Sequence, residues 1–249
     1  MNKFYLYLVA GCLFCFTLVP SASEQPPELL ADVWVFTAKT GQLGALQKAL
    51  VAHRDHRRQL GDPRKWRLYQ PIVGNQLDSF LVRYCCFEWA ELDSYQQWMM
   101  EKQPMQHWVQ QVEPHVQHSV RYLSELDVRH SNWPADLPYR YVGVTRYMVK
   151  PGHWRAMSAD VKTLTEIART HSWPYHYGWM YGIGGEPRVY LASPYNSYAE
   201  MARPEQSFAE LLIKHFGDEQ KATQFMQNWA EHFHSIHYDI YVFLPDMSM

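Results

Sequence analysis

The densest run of chemically capable side chains is Trp173-Pro174-Tyr175-His176-Tyr177-Gly178-Trp179-Met180-Tyr181. Successive side chains of a strand point to opposite faces. Tyr175, Tyr177, Trp179 and Tyr181 therefore share one face, and His176, Gly178 and Met180 the other. An imidazole beside the space left by Gly178 suits proton transfer or ligation of a haem iron, because its pKa lies near neutrality. The plainer alternative is a hydrogen-bonded core histidine in an aromatic strand. Arg83, between Val82 and Tyr84, and Arg146, between Thr145 and Tyr147, are charges inside otherwise apolar strands. A buried guanidinium demands a partner. Each either meets an anionic group on a ligand or pairs within the chain, Arg83 with Asp32 or Glu88.

Metal chemistry is poorly supported. His232, His234 and His237 cluster before the last strand, and His115 and His118 sit at the matching junction of the first half. No HExxH or paired-cysteine spacing accompanies them. They read as surface histidines near helix C-termini, and Arg54, Arg57 and Arg58 with His53 and His56 read as the solvated end of a helix. No Gly-x-Ser-x-Gly elbow or phosphate loop occurs. Gly182-Ile183-Gly184-Gly185 lies between two strands and reads as a hairpin turn.

The elements that must position these groups follow from periodicity. In the first half, residues 32–38, 66–72, 79–87 and 120–126 read as strands, with helices over 41–58, 92–100 and 105–116. In the second, 139–149, 175–181, 188–193 and 236–244 are strands, with helices over 154–170, 208–216 and 221–233. Ser131 to Pro138 reads as a linker. Both halves run β-α-β-β-α-β, and short matches recur in order. Lys39-Thr40-Gly41-Gln42 is answered by Lys150-Pro151-Gly152-His153, and Asp93-Ser94-Tyr95 by Asn196-Ser197-Tyr198. Such ordered matches imply a degenerate duplication.

A β-α-β-β-α-β unit is the ferredoxin-like arrangement, whose sheet carries helices on one face. Two units can lay their bare faces together. The first strand fits this, with Trp34 and Phe36 on one side and Val33 and Val35 on the other.

Residues 1–23 have the layout of a cleaved secretory signal peptide: Lys3, an apolar run from Phe4 to Val19, then Ser21-Ala22-Ser23. The expected location is periplasmic or secreted, with no membrane span after cleavage. Lys and Arg number 23 against 25 Asp and Glu, and no basic face exists, so nucleic acid is not expected as a partner. Cys85 and Cys86 are the cysteines left after cleavage. As strand neighbours they should point to opposite faces, badly placed to bond to each other. Ten Trp and seventeen Tyr suit a wet or ligand-filled interior, since both keep a polar handle when buried.

The segment from Phe87-Glu88-Trp89 through Asp93-Ser94-Tyr95 to Pro104-Met105-Gln106-His107-Trp108, with Lys-x-Gly after the first strand, resembles the dimeric α+β-barrel superfamily. Its NIPSNAP-like and antibiotic-biosynthesis-monooxygenase-like members are the nearest in pattern. The resemblance implies two ferredoxin-like units around one barrel, and it makes haem a cofactor to consider. Haem-degrading members carry an Asn on the first strand and a His, with a Trp nearby, on the unit's second helix. Here that strand holds no Asn, the helical position falls at Gln97 or Trp98, and His107 is displaced.

The reading is an α+β chain of two tandem ferredoxin-like units, spanning 31–128 and 139–246, joined by a linker over 129–138 and forming an intrachain barrel. It is expected to bind a small, partly apolar molecule inside, through Trp34, Phe36, Arg83, Tyr147, His176 and Tyr190, as a monomer or a homodimer. The alternatives are a haem-dependent or cofactor-free monooxygenase-like enzyme, or a structural module with a packed interior.

Overall fold

The computed structural model describes residues 28–249; the expected signal peptide lies outside them. The first half contains β1 (Leu30–Ala38), α1 (Leu43–Gln59), β2 (Arg67–Val73), β3 (Ser79–Phe87), α2 (Trp89–Lys102), α3 (Met105–Gln111) and β4 (Val116–Asn132). The second contains β5 (Tyr141–Val149), α4 (Trp154–Thr170), β6 (Tyr177–Ile183), β7 (Arg188–Tyr195), α5 (Phe208–Phe216), α6 (Glu219–Glu231) and β8 (Phe233–Phe243). β4 runs to Asn132, so the first residues of the expected linker are strand.

The eight strands close into one barrel in the order β1-β3-β2-β8-β5-β7-β6-β4. Each half contributes its fourth, first, third and second strands side by side, the ferredoxin-like order. The halves join where β2 pairs with β8, Tyr69 opposite Phe243, and where β4 pairs with β6, Leu126 opposite Met180. The result is an intrachain α+β barrel.

Strand alternation sorts side chains between lumen and helices. On the outer wall of the first half, Phe36, Leu46, Leu50, Phe80 and Val112 form one core. On the second, Met157, Val161, Leu164 and Ile167 of α4 pack on Val189, Leu211, Leu212, Trp229 and Phe233. The three-and-four spacing expected along α4 supplies that face, although Trp154 at its start stays exposed. Each fully buried aliphatic or Phe side chain contributes about 1.5–3 kcal/mol. These two outer cores hold the barrel wall, and on its inner face a smaller cluster packs Tyr69, Val142 and Ala192 with Leu81, Trp133 and Met180.

The two lysine-glycine motifs fold alike. Gly41 and Gly152 take φ of 74° and 82°, which favours glycine. The amides of Lys39 and Lys150 donate to the carbonyls of His115 and His232, each at 2.9 Å. Gln42 Oε1 then meets His115 Nδ1 at 2.8 Å, and His153 Nδ1 meets His232 Nδ1 at 3.2 Å. His115 and His232 are thus tied to helix starts. The halves differ beyond β3 and β7. Tyr95 lies inside α2, whereas Tyr198 precedes a short 3-10 turn in the loop before α5.

One expectation is overturned. Cys85 and Cys86 are joined by a disulfide. Alternation does not apply there, because the peptide bond between them is cis and brings their Cα atoms to 3.0 Å. The pairing of β3 with β1 also shifts register opposite this point, between Leu30 and Ala31.

Candidate functional site

Two concave spaces stand out among the described residues. The first is the barrel lumen, a cavity of about 570 Å³. Alternation places Val33 of β1, Leu81 and Arg83 of β3, Val144 and Arg146 of β5, Met180 of β6 and Tyr190 and Ala192 of β7 in its wall. Ser131, Trp133, Ala135 and Tyr139 add the connection between the halves to the same wall. Gly178 makes room for it: a Cβ there would lie 3.3 Å from the Trp133 ring.

The lumen wall is aromatic and polar together. Tyr122 and Tyr190 stack with ring centroids 5.7 Å apart. The Tyr190 hydroxyl is fully buried, with the Tyr122 phenol beside it. Burial pushes the phenols of Tyr122, Tyr190 and Tyr241 above their ordinary value, while nearby arginines pull the other way. They stay neutral donors at neutral pH. Tyr139 accepts from Arg67 Nη1 at 3.1 Å and shares a 2.7 Å hydrogen bond with Tyr69.

Arg146 Nη2 lies 3.8 Å from Asp239 Oδ2. The other oxygen of Asp239 accepts from the Asn75 amide at 2.9 Å, beside Gly74, where any Cβ would strike that carboxylate. Neither intrachain partner proposed for Arg83 serves it. Asp32 faces the helices and binds Arg64 at 2.8 Å and Arg121 at 3.0 Å. Glu88 caps α2 at the surface.

The structure separates the six expected site residues. Arg83 and Tyr190 share the lumen. Trp34 and Phe36 point outward, where Phe36 packs 4.6 Å from Trp108 and Trp34 lies under Arg121. Asp32, Trp34 and Phe36 share a face, and the apolar helices claim it. Tyr147 also points outward, 4.8 Å from Phe233. His176 precedes β6, which starts at Tyr177, so alternation does not carry it inside.

Tyr147 and His176 instead border the second space, a groove of about 870 Å³ between the second-half sheet and its helices. Trp173, Trp179 and Trp229 wall it, and the loop before α5 forms its rim with Glu200 and Arg203. His176 Nδ1 lies 3.2 Å from the Asn132 carbonyl oxygen. A carbonyl only accepts, so Nδ1 is the donor in that bond. An imidazole beside aromatic walls is the donor set that a haem site would need. His107 borders neither space: it contacts His53 at 3.2 Å and stacks on His56.

Sequence reasoning missed Arg67, Tyr69, Tyr122, Trp133, Asp239 and Tyr241 as lumen residues. The spacing of two in Arg67/Tyr69 and Asp239/Tyr241 was a usable signal. Trp133 offered none, since nothing local says where a linker tryptophan lands.

No family model matches the chain, and no curated protein resembles it in sequence. Solved structures do share its fold. A mutant chlorite dismutase from Candidatus Nitrospira defluvii is 8% identical, with 89% of this chain and 94% of that one covered at a TM-score of 0.53. A candidate monooxygenase from Lactobacillus acidophilus is 10% identical, with 89% and 95% covered at 0.52. Another, from Fusobacterium nucleatum, is 9% identical, with 89% and 94% covered at 0.52. At such identities the likeness concerns architecture: the chain has the fold of the dimeric α+β barrels, closed within one polypeptide.

Proposed function

We propose that this chain binds a small, partly apolar molecule in the barrel lumen, and that it does so as an exported protein. The observation that carries the reading is the 570 Å³ lumen itself, walled by Tyr122, Trp133, Tyr190 and Tyr241 with Arg83 and Arg146 among them. A guanidinium inside an apolar wall demands a partner, and a polar group on a ligand supplies one. The volume lies within the roughly 300–1,000 Å³ usual for ligand sites, and the mixture of aromatic walls with a few polar groups is their usual chemistry. Binding needs one chain, because both halves of the wall come from it.

Native mass spectrometry of protein purified from the exported fraction tests this. The expected result is a retained small-molecule adduct that disappears in Val144→Phe, which fills the lumen, while the melting temperature stays near that of the parent. An adduct equally abundant in the folded variant, or no adduct in the parent, would overturn the reading.

A monooxygenase-like or haem-dependent enzyme is the second reading, favoured by His176 at the groove. A haem there would be held by His176 Nε2 and the tryptophan walls, and would supply redox chemistry at iron. Tyr147, whose phenol burial pushes above its ordinary value, would remain a neutral donor in that wall.

A further inference from the structure

Resting on the lumen reading, we propose that the ligand is an anion: a planar apolar acid whose charged group is met by Arg83 and Arg146. The charged side chains lining the lumen are Arg67, Arg83, Arg146 and Asp239, three cations against one carboxylate. Arg67 and Arg83 are opposite one another on β2 and β3. Like charges directly opposite across strands are destabilising, so this wall carries a repulsion that an anion relieves. Asp239 serves Arg146 while its other oxygen is held by the Asn75 amide. No carboxylate among the described residues is left for Arg83.

The neutral groups agree with that polarity. Tyr241 lines the same wall, and a phenol can donate to an anion. Arg83, Arg146 and Tyr122 all line the same cavity. The Tyr122–Tyr190 stack offers a flat surface beside them, suited to a planar apolar body. A cationic ligand would add to three guanidinium groups, and a neutral one would leave Arg83 uncompensated.

Isothermal titration of the full chain with naphthalene-2-carboxylate and naphthalene-2-carboxamide tests the inference, since the two differ in charge and little in shape. The carboxylate is expected to bind at least about tenfold more tightly, the worth of a charge-assisted hydrogen bond. Arg83→Gln or Arg146→Gln should each weaken the carboxylate by about tenfold and leave the carboxamide within about twofold. Arg83→Lys should keep most of the preference. Thermal melts establish that each variant is folded, and having two glutamine variants guards against the loss of one. Equal binding of both compounds, unchanged by the substitutions, overturns the anion inference and leaves the lumen reading standing. Binding of neither overturns both.

Discussion

Asp32→Ala should destabilise the folded chain by about 3–5 kcal/mol, the usual cost of stranding one partner of a buried ion pair. Asp32 is 1% exposed and Arg64 3%. Asp32 accepts from Arg64 Nη1 at 2.8 Å and from Arg121 Nε and Nη2, both at 3.0 Å. Arg64 is sandwiched against Tyr95 and Phe87, with its guanidinium carbon 3.6 and 4.7 Å from their ring centroids. Its Nη2 already lacks a partner. Without Asp32 the guanidinium would remain buried without its carboxylate. Urea denaturation measures the loss. The double variant Asp32→Leu/Arg64→Met should recover most of it, because apolar replacement of a whole buried pair is often neutral or stabilising. A single-variant loss below about 1 kcal/mol would show that the pair behaves like a surface one.

The second large effect is on pH dependence. His53 lies among Arg57, His56 and His107 beneath α3. Its Nε2 faces Arg57 Nη1 at 3.5 Å and its Nδ1 faces His107 Nδ1 at 3.2 Å. Arg57 can only donate, so Nε2 accepts and Nδ1–H donates to His107. Burial, then Arg57 and the two neighbouring histidines, push the His53 pKa down from 6.5 to about 3. The unfolded chain therefore binds a proton that the folded one refuses. This contribution is fully present above pH 6.5 and is lost as pH falls toward 3. Between pH 6.5 and 4.5 the expected loss is about 2–3 kcal/mol. Denaturant unfolding across that window should show a shallower slope in His53→Gln, which stays neutral. An identical slope in parent and variant would contradict the assignment.

How far the residues disclosed this architecture varies with the physics involved. Period-two and three-to-four spacing are local properties, so the strand and helix order was legible, and with it the barrel. Which face of a strand looks inward is not local. Trp34 and Phe36 could serve either side until α1 and α3 had claimed the outer one. Arg83 and Arg146 stood out because charge in an apolar strand always needs an account, and both line the lumen. His176 was misplaced by a boundary error of two residues, since the strand begins at Tyr177 and not at Tyr175.

The asymmetry between halves was harder still to read. Seven residues before each motif lysine stand Asp32 and Gly143. Asp32 anchors the arginine network that fills the first half beneath α2. At Gly143 a Cβ would strike the Tyr238 hydroxyl and crowd Tyr195, 3.1 Å away. The second half thus builds that region from tyrosines and a loop, and keeps the groove.

Lumen and groove make opposite claims on a ligand, and a crystal structure with naphthalene-2-carboxylate separates them. The lumen account predicts ligand density inside the barrel, with the carboxylate within hydrogen-bonding distance of Arg83 or Arg146 and the ring against Tyr122 and Tyr190. Density confined to the groove beside His176, with the lumen holding only water, would contradict it.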